Sequence, residues 1–154
     1  MHNNDILSQL RYIWNFGDDK MISLFAKAGE SVSRTEVCEW LKPEEDPAFQ
    51  PLSDQRLALF LDGLIIDKRG QKEGSTPERV QRISNNTILR KLKIALQLTS
   101  HDMLDILQLA NFPISEHELS ALFRNTNHPH YRPCQDQLLR NFLKGLQKAL
   151  RSNP

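Results

Sequence analysis

Pro51-Leu52-Ser53-Asp54-Gln55-Arg56-Leu57-Ala58-Leu59-Phe60-Leu61-Asp62-Gly63-Leu64 recurs 82 positions later as Pro133-Cys134-Gln135-Asp136-Gln137-Leu138-Leu139-Arg140-Asn141-Phe142-Leu143-Lys144-Gly145-Leu146. Leu57, Phe60, Leu61 and Leu64 keep the i, i+3, i+4, i+7 spacing of one helix face, and Leu139, Phe142, Leu143 and Leu146 repeat it. Followed outward, the match covers residues 3–65 and 85–147 without a gap, with 18 identities in 63 columns. Unrelated segments of this composition would share roughly 4, so the chain carries an internal duplication. Features kept in both copies are expected to be structural, and differences between the copies show where each has specialised.

Three further helices precede this one in each copy. Ile6, Leu7, Leu10, Ile13 and Trp14 form one apolar stripe, answered by Ile88, Leu89, Leu92, Ala95 and Leu96. Met21, Leu24, Phe25 and Ala28 form the next, answered by Met103, Ile106, Leu107 and Ala110. That second helix is followed by Gly29 in one copy and Asn111 in the other, the two residue types that best tolerate the left-handed turn after a helix. The third helix opens on a capping box, Ser33 with Glu36 and Ser115 with Glu118, flanked by Val32 and Val37 or Ile114 and Leu119 at staple positions. The spacing predicts Asp54 and Asp136 as N-caps of the fourth helix. A glycine inside that helix, Gly63 or Gly145, costs about 1 kcal/mol relative to alanine. Its presence in both copies predicts a close backbone approach, expected where the two fourth helices or the two repeats meet. Phe60 and Phe142 are expected to be buried with Trp14 and Leu96.

The expected fold is all-α, two tandem pseudo-symmetric four-helix repeats packed into one compact domain. Repeat one is 3–65 and repeat two is 85–147, joined by a polar connecting segment, 66–84, and followed by a basic tail, 148–154. The loops Pro47-Ala48-Phe49-Gln50-Pro51 and Pro129-His130-Tyr131-Arg132-Pro133 place an aromatic between two stiffening prolines, which suits anchoring onto the helices.

The net charge of +1 hides an asymmetry: repeat one is −5, whereas repeat two, the connecting segment and the tail are each +2. An acidic half followed by a basic half suits a protein partner or head-to-tail self-association. No apolar run approaches the ~18 residues of a membrane span, and Met1-His2-Asn3-Asn4-Asp5 has no basic, apolar signal start. Cys38 and Cys134 stand at non-equivalent places in the repeats, so they read as reduced cytosolic thiols.

Residues that carry chemistry are few. Gly70-Gln71-Lys72-Glu73-Gly74-Ser75-Thr76 lacks the Gly-Lys-Ser/Thr ending of a phosphate loop, and His117-Glu118 lacks a second histidine four residues on. No nucleophile–base–acid set or dinucleotide fingerprint is present, so the expectation is a non-enzymatic protein with no cofactor. His128, His130 and Cys134 form the one ligand-like cluster, without a fourth ligand. Asn3, Asn4, Asn85 and Asn86 are repeat-symmetric polar positions, expected to satisfy free amides at their helix starts, with ligand binding as the alternative. The basic residues Arg79, Arg82, Arg90, Lys91 and Lys93 are a candidate surface for a partner or for nucleic acid. Helices two and three have the dimensions of a helix-turn-helix, but the third helix, with Arg34, Glu36, Glu39 and Lys42, is nearly neutral.

Asn3-Asn4 and Asn85-Asn86, Val32 to Glu36, Trp40-Leu41-Lys42, and Asp136 to Leu146 together resemble the YehS family of small bacterial proteins over nearly the whole chain. The resemblance implies a cytoplasmic bacterial protein built from a duplicated helical unit. It supplies no catalytic residue and no substrate, because the family has no established activity. Leu52 stands where the family pattern favours a cysteine matching Cys134, which weakens a metal or redox role for repeat one.

Overall fold

The computed structural model describes residues 1–70 and 79–151. The described residues form helices and turns, with no strand. The order is α1 (Asn3–Trp14), α2 (Asp18–Lys27), α3 (Arg34–Trp40), α4 (Asp54–Arg69), α5 (Asn85–Leu96), α6 (Ser100–Leu109), α7 (Glu116–Leu122) and α8 (Asp136–Leu150). Each of the second four begins 82 residues after its counterpart, and all but α8 also end there. The chain divides into two compact units, Met1–Ile83 and Ser84–Pro154.

The first unit is held by α4 lying against α2, with α2 also packing on α3 and α1 on α4. Its core centres on Phe25, whose ring lies 5.2 Å from Phe60 and 5.5 Å from Trp40. In the second unit α8 packs on α6, and Leu107, Phe142 and Leu122 fill the matching buried places. Phe60 and Phe142 are buried as expected, whereas Trp14 and Leu96 are only half-buried. Trp14 instead stacks on Phe16, at 5.7 Å between rings, because α1 ends there and its last turn overhangs the core.

Gly63 and Gly145 do mark close backbone approaches, but within each unit, against its own second helix. A β-carbon built on Gly63 would lie 1.7 Å from the Leu24 carbonyl oxygen, and one on Gly145 would lie 2.0 Å from the Ile106 oxygen. The helices can meet at this spacing only because no side chain intervenes.

Helix ends follow local chemistry. The Ser33 hydroxyl accepts from the Glu36 amide while the Ser33 amide donates to the Glu36 carboxylate. Ser115 and Glu118 do the same. Ser33→Ala or Ser115→Ala is therefore expected to lower stability by about 1 kcal/mol each, read as a shift of the urea midpoint with an unchanged slope. After α2, Gly29 takes φ +85°, and after α6, Asn111 takes φ +58°. The Glu30 amide then donates back to the Phe25 carbonyl and the Phe112 amide to that of Leu107, the Schellman pattern in both copies. The α4 cap is Ser53, one residue before the expected Asp54, and the α8 cap position is Gln135 rather than Asp136. The segment read as connecting also starts later than expected, since α4 continues to Arg69. Most of the phosphate-loop-like stretch, from Gln71 onward, and the end of the basic tail lie outside the described residues.

Candidate functional site

The repeat-symmetric asparagines form a clasp, identical in both units. Asn4 is 6% exposed and Asn86 is 4% exposed. The Asn4 carboxamide nitrogen donates to the carbonyls of Trp40 (2.9 Å) and Gln50 (2.8 Å), and its oxygen accepts from the Leu52 amide at 3.0 Å. Asn86 donates to Leu122 (2.9 Å) and Arg132 (2.9 Å) and accepts from the Cys134 amide at 2.8 Å. One side chain thus binds the end of the third helix and the residues on either side of the loop's second proline to the start of the first helix. Asn3 and Asn85 extend the clasp by donating to the Leu52 and Cys134 carbonyls and, at 2.7 Å each, to the carboxylates of Asp54 and Asp136. That explains why the two aspartates are kept in both copies although neither is the cap. Asp54 also accepts from the Ile83 amide, and the Asn85 amide holds the Asp136 carboxyl below its ordinary range. The asparagines are structural, but by long-range bonds rather than by capping, since His2 and Ser84 occupy the cap positions.

The ligand-like cluster is not gathered. The His128 and His130 rings lie 5.5 Å apart, with His117 6.4 Å from His130. His128 Nδ1 accepts from the His130 amide and its Nε2 faces Arg124 at 3.3 Å. Loss of solvation, reinforced by the Arg124 charge, pushes the His128 pKa down. Cys134 is buried in the clasp, and among the described residues no group of three or more His, Cys, Asp or Glu is placed to hold a metal ion. Burial, with the Asp136 charge beside it, pushes the Cys134 thiol up to about 11. It therefore stays protonated in the folded state well beyond the pH at which an unfolded thiol ionises, about 8.5. Its contribution to stability is complete below that pH and is lost as pH rises toward 11. A thiol reagent at pH 8 is expected to modify exposed Cys38 promptly and Cys134 only on unfolding, as read by mass. Equal rates for the two would contradict the burial.

The basic residues fall in both units. In the first unit the Arg79 guanidinium bonds Glu30 at 3.1 Å and reaches the Gly29 carbonyl, while Arg82 is exposed. Glu30 is shared with Arg56, which also bonds Glu36 and lies over the Trp40 ring. On α5, Arg90 is exposed and Lys93 lies over the Phe123 ring at 5.7 Å. Lys91, about 100° round the helix from Arg90, faces another direction.

The feature that local patterns did not disclose is a groove of about 390 Å³ on the second unit, between the end of α5, α6 and the end of α8. Leu96, Leu98, Ile106, Leu109, Leu146 and Leu150 give it an apolar wall, and Asp102 and Asp105 stand on its rim. Leu109 is 46% exposed and Leu150 is 48% exposed, an unusual arrangement for two leucines on adjoining helices. Asp102 is held ionised by the Thr99 amide it accepts from, and Asp105 lies 3.3 Å from His101. The signal in the sequence was available only by comparing the repeats: Leu109 and Leu150 stand where the first unit has Lys27 and Lys68.

The family described as "Protein of unknown function (DUF1456)" matches the chain twice, over residues 3–70 and 85–152. The chain is similar to the "Uncharacterized protein YehS" of Escherichia coli (strain K12), 39% identical over 149 residues, which is 95% of this chain and 94% of that protein. No solved structure matches it. Among the described residues no helix is long and apolar enough to cross a membrane.

Proposed function

The chain belongs to the DUF1456 family, a family of unknown function, and from that premise we propose that it is a cytoplasmic, non-enzymatic protein-interaction module. The observation that carries the reading is the apolar groove of the second unit, with Leu109 and Leu150 about half-exposed on its walls. Because each leucine is already about half-buried, completing its burial against a partner is worth about 1 kcal/mol. Free, unbridged thiols fit a reducing compartment. Nucleic-acid binding through Arg79, Arg82, Arg90, Lys91 and Lys93 is the weaker reading, because Arg79 is held by Glu30 and Lys93 by Phe123. It would require an affinity that falls steeply with salt.

The test is affinity capture with the intact chain and with the double variant L109K/L150K, which carries the first unit's residues at both positions. A discrete partner is expected with wild type and lost with the variant, the melting curve being unchanged. The same proteins recovered by both, or a duplex probe retained in a salt-dependent way and lost on changing Arg90, Lys91 and Lys93 to Glu, would count against the proposal.

A further inference from the structure

The two units share a fold but treat one surface in opposite ways. In the first, the matching surface carries aromatic and cationic side chains. Trp14 and Phe16 stack across it, the Lys68 ammonium lies 5.3 Å from the Trp14 ring centre, and Lys20 lies 6.0 Å from that of Phe16. Lys20 is fixed there by Asp67 at 2.8 Å. Leu24 and Leu64, which correspond to Ile106 and Leu146, are buried.

In the second unit Ile106 and Leu146 line the groove. Leu96 and Leu98 replace the two aromatics, and Leu150 replaces Lys68. Asp102 stands where Lys20 stands in the first unit, with Asp105 one turn further along the same rim. The aromatic volume and the cations above it have been removed together, and carboxylates now occupy the edge. What the second unit lacks, the first displays: a planar ring flanked by lysine.

We infer that the groove of the second unit binds a protein segment anchored by an aromatic side chain and flanked by lysine or arginine. This rests on the interaction reading above and names the class of partner. The ring seats on Ile106 and Leu146 between Leu109 and Leu150. The flanking cation meets Asp102 and Asp105, a pairing that strengthens as salt is lowered.

The test titrates the full chain into a labelled peptide, Lys-Trp-Asn-Phe-Gly-Lys, whose centre copies Trp14 to Gly17, and follows fluorescence anisotropy. Two control peptides change both aromatics to leucine, or both lysines to glutamate. Saturable binding of the first peptide is expected, with both controls at least about tenfold weaker, the scale of losing one anchor contact. L109K/L150K is expected to weaken it by a similar factor, and Asp105→Ser, which restores the first unit's Ser23, to weaken it less and flatten its salt dependence. Equal or tighter binding of a control peptide, still lost in L109K/L150K, overturns the inferred occupant and leaves the interaction reading standing. A dimer seen in sedimentation and abolished by L109K/L150K makes the occupant a second copy of this chain, which also overturns it. Absence of peptide binding, or binding indifferent to L109K/L150K, overturns it outright. The capture experiment above judges the interaction reading independently.

Discussion

Gly63→Ala is expected to destabilise the protein by about 2–4 kcal/mol, although alanine is the better helix former by about 1 kcal/mol. The added β-carbon would lie 1.7 Å from the Leu24 carbonyl oxygen and 2.6 Å from its carbon, both backbone atoms. A flexible side chain could turn aside, but α2 must move as a body, and moving it opens the contact of Phe25 with Phe60 behind it. Gly145→Ala meets the Ile106 carbonyl oxygen at 2.0 Å and should behave likewise, while Gly145→Leu should be worse. For a unit of this size, each kcal/mol corresponds to about 4–8 °C in melting temperature, so scanning calorimetry resolves the effect easily. A Gly63→Ala or Gly145→Leu protein melting at or above wild type would show that the helices do not meet at the glycines.

The second large effect is expected at the clasp. Asn86→Ala removes three hydrogen bonds, two buried and one part-buried, and leaves the Leu122 and Arg132 carbonyls and the Cys134 amide without that partner. At about 1 kcal/mol per bond, with a further cost for each group left dry, the loss should be about 3–5 kcal/mol. Asn86→Asp should be no better at neutral pH, since a carboxylate oxygen would face two carbonyl oxygens where the nitrogen now donates. Asn85→Ala removes two bonds at a more exposed position and should cost clearly less. Urea melts of the three variants give the order directly. Equal stability of Asn85→Ala and Asn86→Ala would mean that the inner asparagine does not hold the loop.

Much of the fold was legible because it is written in local spacing. The apolar stripes, both capping boxes and the left-handed residues Gly29 and Asn111 each depend on neighbours within one or two turns, so periodicity and residue type sufficed. The glycines announced a close approach by being retained in both copies, but the partner helix lies some 39 residues away in sequence and no local pattern names it. The asparagines misled for the same reason. Their bonds span 36 to 51 residues, whereas their place at a helix start suggested the nearer role of caps. Asp54 is a residue type that caps helices and so reads as the cap, whereas the cap position is the one before it, Ser53 in one copy and Gln135 in the other. Identity reflected the bond from Asn3 instead. Trp14 was placed in the core by its stripe, yet it lies on the last turn of α1, beyond the helix that covers the stripe's centre.

The candidate groove was hidden by a different cause. A leucine at a helical period reads as core wherever it occurs, and Leu109 and Leu150 differ from core leucines in being about half exposed. The duplication supplied the contrast that one copy could not, by setting lysines against leucines at matching positions.

That one clasped unit has been kept twice is tested most directly by hydrogen exchange at the side-chain amides. In nitrogen-15-labelled protein, the carboxamide protons of Asn4 and Asn86 are expected to exchange at least about 100-fold more slowly than those of exposed Asn127, because opening either clasp requires local unfolding. Protection at both asparagines is the predicted result. Exchange of either one at the rate of Asn127, while the backbone amides of its own unit's helices stay protected, would contradict it.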